Sequence, residues 1–227
     1  QSNALEYAFK RNGVPYKIIG GTKFFDRAEV KDMLAYLCVI NNPADDLRLR
    51  RIVNVPARKI GAATMDKAQA IATEGGLTLM EVLRQAGDYP QLKPAAGKLI
   101  SFTAMIDEMR RQSDEMGLVE FYDYVCRRSG YAAMLQEKED AESRGRLENV
   151  EELSSSIQAF LENDPEDPTL SGFLDEVALY TDLDGQEAGD NCVTLMTMHS
   201  AKGLEFPSVF VVGMEEGLFP GNRAMGE

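Results

Sequence analysis

The amino-acid sequence predicts a mainly α-helical fold, with a helical block inserted between two segments of a parallel α/β sheet. Strand-like runs of β-branched and apolar residues occur only toward the two ends, near Tyr16 to Ile19 and after Cys192. Helical periodicity fills most of the interval, interrupted by glycine, proline and acidic turns. The hydrophobic fraction, 44% of 227 residues, is enough for a real core. These signals place the helical block at residues 25–189 and the sheet segments at 5–24 and 190–227. Gln1, Ser2, Asn3 and Ala4 read as the scar of a cleavable purification tag.

Taken in order, Tyr16 to Ile19 is the first strand, and Phe24 and Phe25 are core candidates rather than stacking platforms. Asp26 with Glu29 three positions later predicts a capping box, after which Val30, Met33, Leu34, Leu37 and Ile40 recur at helical spacing until Asn42-Pro43. The stretch Asn54-Val55-Pro56-Ala57-Arg58-Lys59-Ile60-Gly61 is a turn leading into a helix from Ala62. A glycine there lets backbone N–H groups and the positive helix end approach a phosphate. Thr78 with Glu81 repeats the capping device. Further helices are predicted over 94–116, 118–128, 145–162 and 170–181, with breaks at Gly117, Ser129-Gly130 and the acidic turn from Asn163 to Pro168. Residues 182–191, DLDGQEAGDN, read as the return linker, which would bring the regions near Lys23 and Asn191 together. Finally, Val193 to Thr197 and Val209 to Gly213 have the pattern of strands buried on both faces of a parallel sheet. The loop between them carries His199, Ser200, Lys202 and Glu205 around Gly203: a base, a hydroxyl, a cation, a carboxylate and a point of close backbone approach.

Composition excludes several classes. No apolar run approaches 18 residues and no signal-peptide pattern is present, which leaves a cytoplasmic site as the default expectation. Cys38, Cys126 and Cys192 are isolated, and one histidine cannot complete a zinc site of usual composition with them, so they read as buried free thiols and no metal is expected. The net charge of −13 is local: residues 136–190 hold 17 acidic against 3 basic side chains. Residues 10–67 carry 12 Lys or Arg against 6 acids. Singly each of those cations reads as part of a solvated helix face, but the cluster points to a polyanionic partner. The chain contains no GxxxxGK[ST] phosphate loop and no strand ending in an acidic pair for Mg²⁺.

The segment HSAKGLEF followed by VGMEEGLFP, within Val193 to Pro220, resembles motif V of the UvrD/PcrA/Rep family of superfamily 1 DNA helicases. Gly20 to Leu37, GGTKFFDRAEVKDMLAYL, resembles the family's motif IVa, and the resemblance runs along the chain from Leu5, closest to the PcrA branch. It implies that the helical block is similar to the family's 2B domain, inserted into a RecA-like α/β domain, 2A. The parent would be an ATP-dependent, 3′ to 5′ DNA helicase using ATP and Mg²⁺, with single-stranded and duplex DNA as partners. The phosphate-loop domain would lie upstream and motif VI beyond Glu227, so this stretch alone would be catalytically silent and carry no bound cofactor.

Residue by residue, the resemblance assigns Gly203 and Glu205 to the ribose side of ATP, His199 to single-stranded DNA, and Lys202 to the loop linking the two. Arg27 and Lys31, four apart, are candidates for strand-backbone contacts within motif IVa. Arg58, Lys59, Ile60 and Gly61 are candidates for duplex contact, at a position that typically reads GIG in the family. Lys59 stands where the first of those glycines is usual. It removes a close backbone approach and adds a cation, so a phosphate clamp and a simple helix-start turn both fit. Two other readings stay open: an autoregulatory module docking repair or transcription proteins through the acidic 136–190 region, and the helicase subunit of a recombination nuclease.

Overall fold

The computed structural model describes residues 2–19, 22–163, 165–184 and 191–214, and it is mainly helical. The chain divides into two compact units, one of residues 1–24 with 187–227 and one of residues 25–186.

The first unit contains α1 (Ser2–Arg11), β1 (Tyr16–Ile19) and β2 (Val193–Met196). Gly13, at φ +63°, turns the chain out of α1 in the left-handed region that glycine adopts without penalty. β1 and β2 are parallel, with Tyr16 opposite Val193 and Ile19 opposite Met196, and the Val193 N–H donates to the Pro15 carbonyl at 2.9 Å. The two flanking segments thus meet as the sequence requires. Glu6 of α1 is buried, and its Oε2 accepts the Phe24 N–H at 3.1 Å.

Val209 to Gly213, expected as a strand, has no regular structure, and Val209 to Val212 are all more than half exposed. The β-branched pattern is present, but among the described residues β1 and β2 are the only paired strands. A parallel strand without a neighbour has no acceptor for its backbone donors.

The second unit is built around α2 (Ala28–Asn41), which packs against α3 (Asp46–Ile52), α6 (Ala96–Gln112), α9 (Ala141–Glu162) and α10 (Leu170–Asp184). Val30, Met33, Tyr36, Leu37, Val39 and Ile40 are fully buried, so α2 is apolar around most of its circumference rather than along one stripe. Each such side chain contributes roughly 1.5–3 kcal/mol. The remaining helices are α4 (Ala62–Gly75), α5 (Leu79–Arg84), α7 (Leu118–Ser129) and α8 (Tyr131–Gln136). Phe24 and Phe25 are buried, as expected.

Two local expectations fare differently. The Thr78–Glu81 capping box forms in full at the start of α5. The Asp26–Glu29 box does not: Asp26 ends a short 3₁₀ turn, Arg27 is the N-cap with no side-chain cap bond, and α2 starts at Ala28. Other partners hold both carboxylates, one local and one distant in sequence. Asp26 pairs with Lys31 at 2.6 Å, and the buried Glu29 accepts Asn149 Nδ2 of α9 at 2.6 Å.

Candidate nucleic-acid interface

The turn before α4 is assembled by two side chains. Asn54 Oδ1 accepts the backbone N–H of Arg58 at 2.8 Å and of Ile60 at 3.1 Å, folding residues 54–60 around one oxygen. Arg58, half-buried, then braces the turn. Its Nη1 donates to the carbonyls of Ile52, Val53 and Pro56, and its Nη2 donates to the Tyr36 hydroxyl at 2.7 Å and the Ser129 carbonyl at 2.9 Å. Ile52 and Val53 lie at the C-terminal end of α3, where carbonyls lack helical partners and a cation is favoured. The guanidinium carbon also lies 5.3 Å from the Phe102 ring centroid. Burial pushes the Tyr36 hydroxyl up to about 12 against the opposing pull of Arg58. It therefore stays protonated and donates to the Val55 carbonyl at 2.6 Å.

This framework sets the outer surface. Ile60 anchors the turn in the core at 2% exposure. Lys59 is exposed and sits at φ +57°, a left-handed conformation that costs a residue with a Cβ roughly 1–2 kcal/mol. That is the conformation a glycine at this position would take freely. Gly61 is the N-cap of α4, with no side-chain cap and open space where a Cβ would stand. The backbone N–H groups of Gly61, Ala62 and Ala63 have no acceptor among the described residues.

Four of the twelve cations of residues 10–67 are paired with carboxylates. Lys31 pairs with Asp26, Arg48 with Asp45, Arg50 with Asp66 and Arg51 with Asp32. Arg27 donates to Asn149 Oδ1, bracing α2 against α9. Arg27 and Lys31 lie one turn apart, as the spacing requires, and both are engaged within the unit. Lys59 and Lys67 are exposed and have no carboxylate within 4 Å among the described residues.

The loop of residues 197–205 belongs to the other unit. Thr197 organises it: its Oγ1 accepts the Ser200 N–H at 3.1 Å and lies 2.9 Å from Ser200 Oγ, while its carbonyl accepts the Ala201 N–H. The Lys202 N–H donates to the His199 carbonyl, and Gly203 stands at φ +84°, where glycine is required. His199, Lys202, Gly203 and Glu205 are all exposed. Ser200 is bound to Thr197 rather than to His199, which is consistent with a structural hydroxyl rather than a nucleophile.

Among the described residues no group of three or more His, Cys, Asp or Glu side chains could hold a metal ion, and no helix is long and apolar enough to cross a membrane. Cys38, Cys126 and Cys192 are free thiols, but only Cys126 is buried as expected; Cys38 and Cys192 are partly exposed, and burial pushes the Cys126 thiol up to about 12. The residues of the 197–205 loop fit only the edge of a nucleotide: a carboxylate for ribose hydroxyls and a glycine for close approach, with no phosphate cradle.

A sequence model of the UvrD-like helicase C-terminal domain matches residues 1–227, the whole chain. The chain belongs to that family. Over 226 residues, 99% of the chain, it is 43% identical to the ATP-dependent DNA helicase PcrA of Staphylococcus epidermidis and 41% identical to that of Staphylococcus aureus. It spans 31% of each relative, about a third of their length. The UvrD-like match includes residues 1–4, and α1 begins at Ser2.

Two residues that hold or border the turn escape a reading of the sequence. Asn54 carries a signal, since asparagine ahead of a proline-containing turn commonly captures backbone N–H groups. Lys98, in the first turn of α6, carries none: it is 39 positions from Lys59, and its Nζ donates to the Lys59 carbonyl at 3.4 Å.

Proposed function

We propose that this chain is the 2B domain with adjoining parts of 2A from an ATP-dependent 3′ to 5′ DNA helicase, and that the Lys59-Ile60-Gly61 turn grips the phosphate backbone of duplex DNA. Family membership and identity to PcrA helicases support the first part. The second rests chiefly on the exposed backbone at Gly61, Ala62 and Ala63, which aligns unsatisfied N–H donors at the positive end of a 14-residue helix beside an unpaired lysine. Arg58 and Asn54 hold the turn without spending an outward-facing donor on it. Phosphate contacts of this kind position a duplex and carry no base sequence.

In the intact helicase the motif V loop would bring Gly203 and Glu205 to the ribose side of ATP and His199 to the single strand, with Lys202 steadying the loop between them. ATP with Mg²⁺ would supply phosphoryl-transfer chemistry elsewhere in the parent; the residues described here bind and orient at its edge. The chain by itself is catalytically silent on this proposal, and repair or transcription proteins would be partners of the parent through 2B.

The test is a titration of the 227-residue chain into labelled duplex carrying a 3′ single-stranded tail, at 50 and 200 mM salt, beside Lys59→Glu. Binding that weakens steeply with salt and is lost in the variant supports duplex recognition. Salt-insensitive binding, or none, overturns it in favour of a protein-docking role.

A further inference from the structure

The acidic stretch of residues 136–190 contains three basic side chains, Lys138, Arg144 and Arg146, against 17 acids. Arg146 is held by Glu142, one turn away on α9, at 2.6 Å. Lys138 and Arg144 are exposed and have no carboxylate within 4 Å among the described residues. Both line one groove of about 330 Å³, where α8 turns into α9. Leu135, buried, and Leu147, half-buried, supply its apolar surface from the two helices, and Gln136 and Glu139 complete the lining. The nearby Asp140 is committed to the start of α9: its Oδ1 accepts the Ser143 N–H at 2.7 Å and its Oδ2 lies 3.2 Å from Ser143 Oγ. Those bonds, more than Lys138, hold the Asp140 carboxyl below its ordinary value. Glu139 is the one acid in the lining.

Two uncommitted cations beside two leucines select a ligand that is anionic and apolar at once. A polyanion fits badly, because the flanking acids repel every further negative charge that a nucleic acid would bring. The volume is at the small end of ligand pockets, roughly 300–1,000 Å³, so it holds an end residue rather than a helix. A chain running through the groove would have to pass Glu139 and the acidic flank of α9, whereas a chain ending there would not. We infer that this groove captures the C-terminus of a partner protein ending in a large aliphatic residue. Lys138 and Arg144 take the α-carboxylate, which the arginine fork matches in shape, and Leu135 and Leu147 take the side chain. A terminal leucine presents both groups from a single Cα. The inference concerns the helical unit alone and holds whether or not the turn before α4 meets DNA.

The experiment titrates the 227-residue chain into a dye-labelled Gly-Ser-Gly-Ser-Leu peptide with a free C-terminus and reads fluorescence anisotropy. Three peptides stand beside it: the C-terminal amide, a form ending in serine, and an amidated form carrying Glu-Leu in mid-chain. The free acid binds saturably, and the amide and the serine form each bind roughly tenfold more weakly, one for the lost charge and one for the lost apolar side chain. Lys138→Gln and Arg144→Gln each weaken the free acid by about three- to tenfold. Both positions are exposed, so thermal midpoints stay at the parent value. Equal affinity for acid and amide, undiminished binding by both variants, or no saturation at millimolar peptide overturns the inference. Tighter binding of the mid-chain acid than of the free C-terminus overturns it as well.

Discussion

Arg58 donates to the Tyr36 hydroxyl at 2.7 Å from inside a ring of carbonyls, so the arginine beside the proposed DNA contact is a structural post. A sequence reading groups Arg58 with Lys59 because both are cations next to a helix-start glycine. The structure separates them: one faces the protein, the other solvent.

From that relationship, Arg58→Ala should destabilise the helical unit by about 3 kcal/mol or more, since several carbonyls and a hydroxyl lose a charged partner together. Arg58→Lys keeps the charge but not the planar fork and should recover less than half of that loss. Denaturant midpoints of the two variants against the parent chain measure both. Equal stability of all three would show that the guanidinium bonds contribute nothing.

Gly61 offers a prediction of opposite sign. A Cβ there meets nothing within 4 Å, and φ −83°, ψ 161° suits any N-cap residue. Gly61→Asp should therefore cap α4 and stabilise it by a few tenths of a kcal/mol. Its carboxylate would satisfy the N–H groups proposed to meet phosphate and repel the strand, weakening duplex binding by about tenfold or more. Melting curves and the tailed-duplex titration read the two effects separately.

The acid limb of stability should depend on Glu108. Its hydrogen bonds from Arg128 and then Tyr124 hold the carboxyl at about 2, well below its ordinary value. A carboxyl depressed in the folded state stabilises above its unfolded pKa, and that contribution fades as pH falls toward 2. Glu108→Gln should thus lower the thermal midpoint most above pH 5 and converge on the parent chain as pH approaches 2. The side chain is exposed, so the difference is modest and shrinks with salt. A pH-independent difference would place the effect in packing instead.

The helical architecture was legible because it depends on local signals: Thr78 with Glu81, and breaks at Gly117 and Gly130, act within a few residues. Asp26 and Glu29 carry the same local signature, yet Lys31 and Asn149 claim their carboxylates, and Asn149 lies 120 residues away from Glu29. The proposed site divides in the same way. Lys59 and Gly61 stand out in sequence, but the neutralisation of Arg50 by Asp66 and the arrival of Lys98 beside Lys59 are products of tertiary packing. Charge counted along a chain does not show which cations a partner meets, because four acids of residues 10–67 fold onto four of its bases.

The most direct measurement is a backbone amide NMR titration of the chain with 3′-tailed duplex at low salt. We expect the amides of Gly61, Ala62 and Ala63, with those of Lys59 and Lys98, to shift first and most, while the acidic helix α9 stays unchanged. Shifts confined to α9 and α10, or none around Gly61, would contradict duplex recognition by this turn.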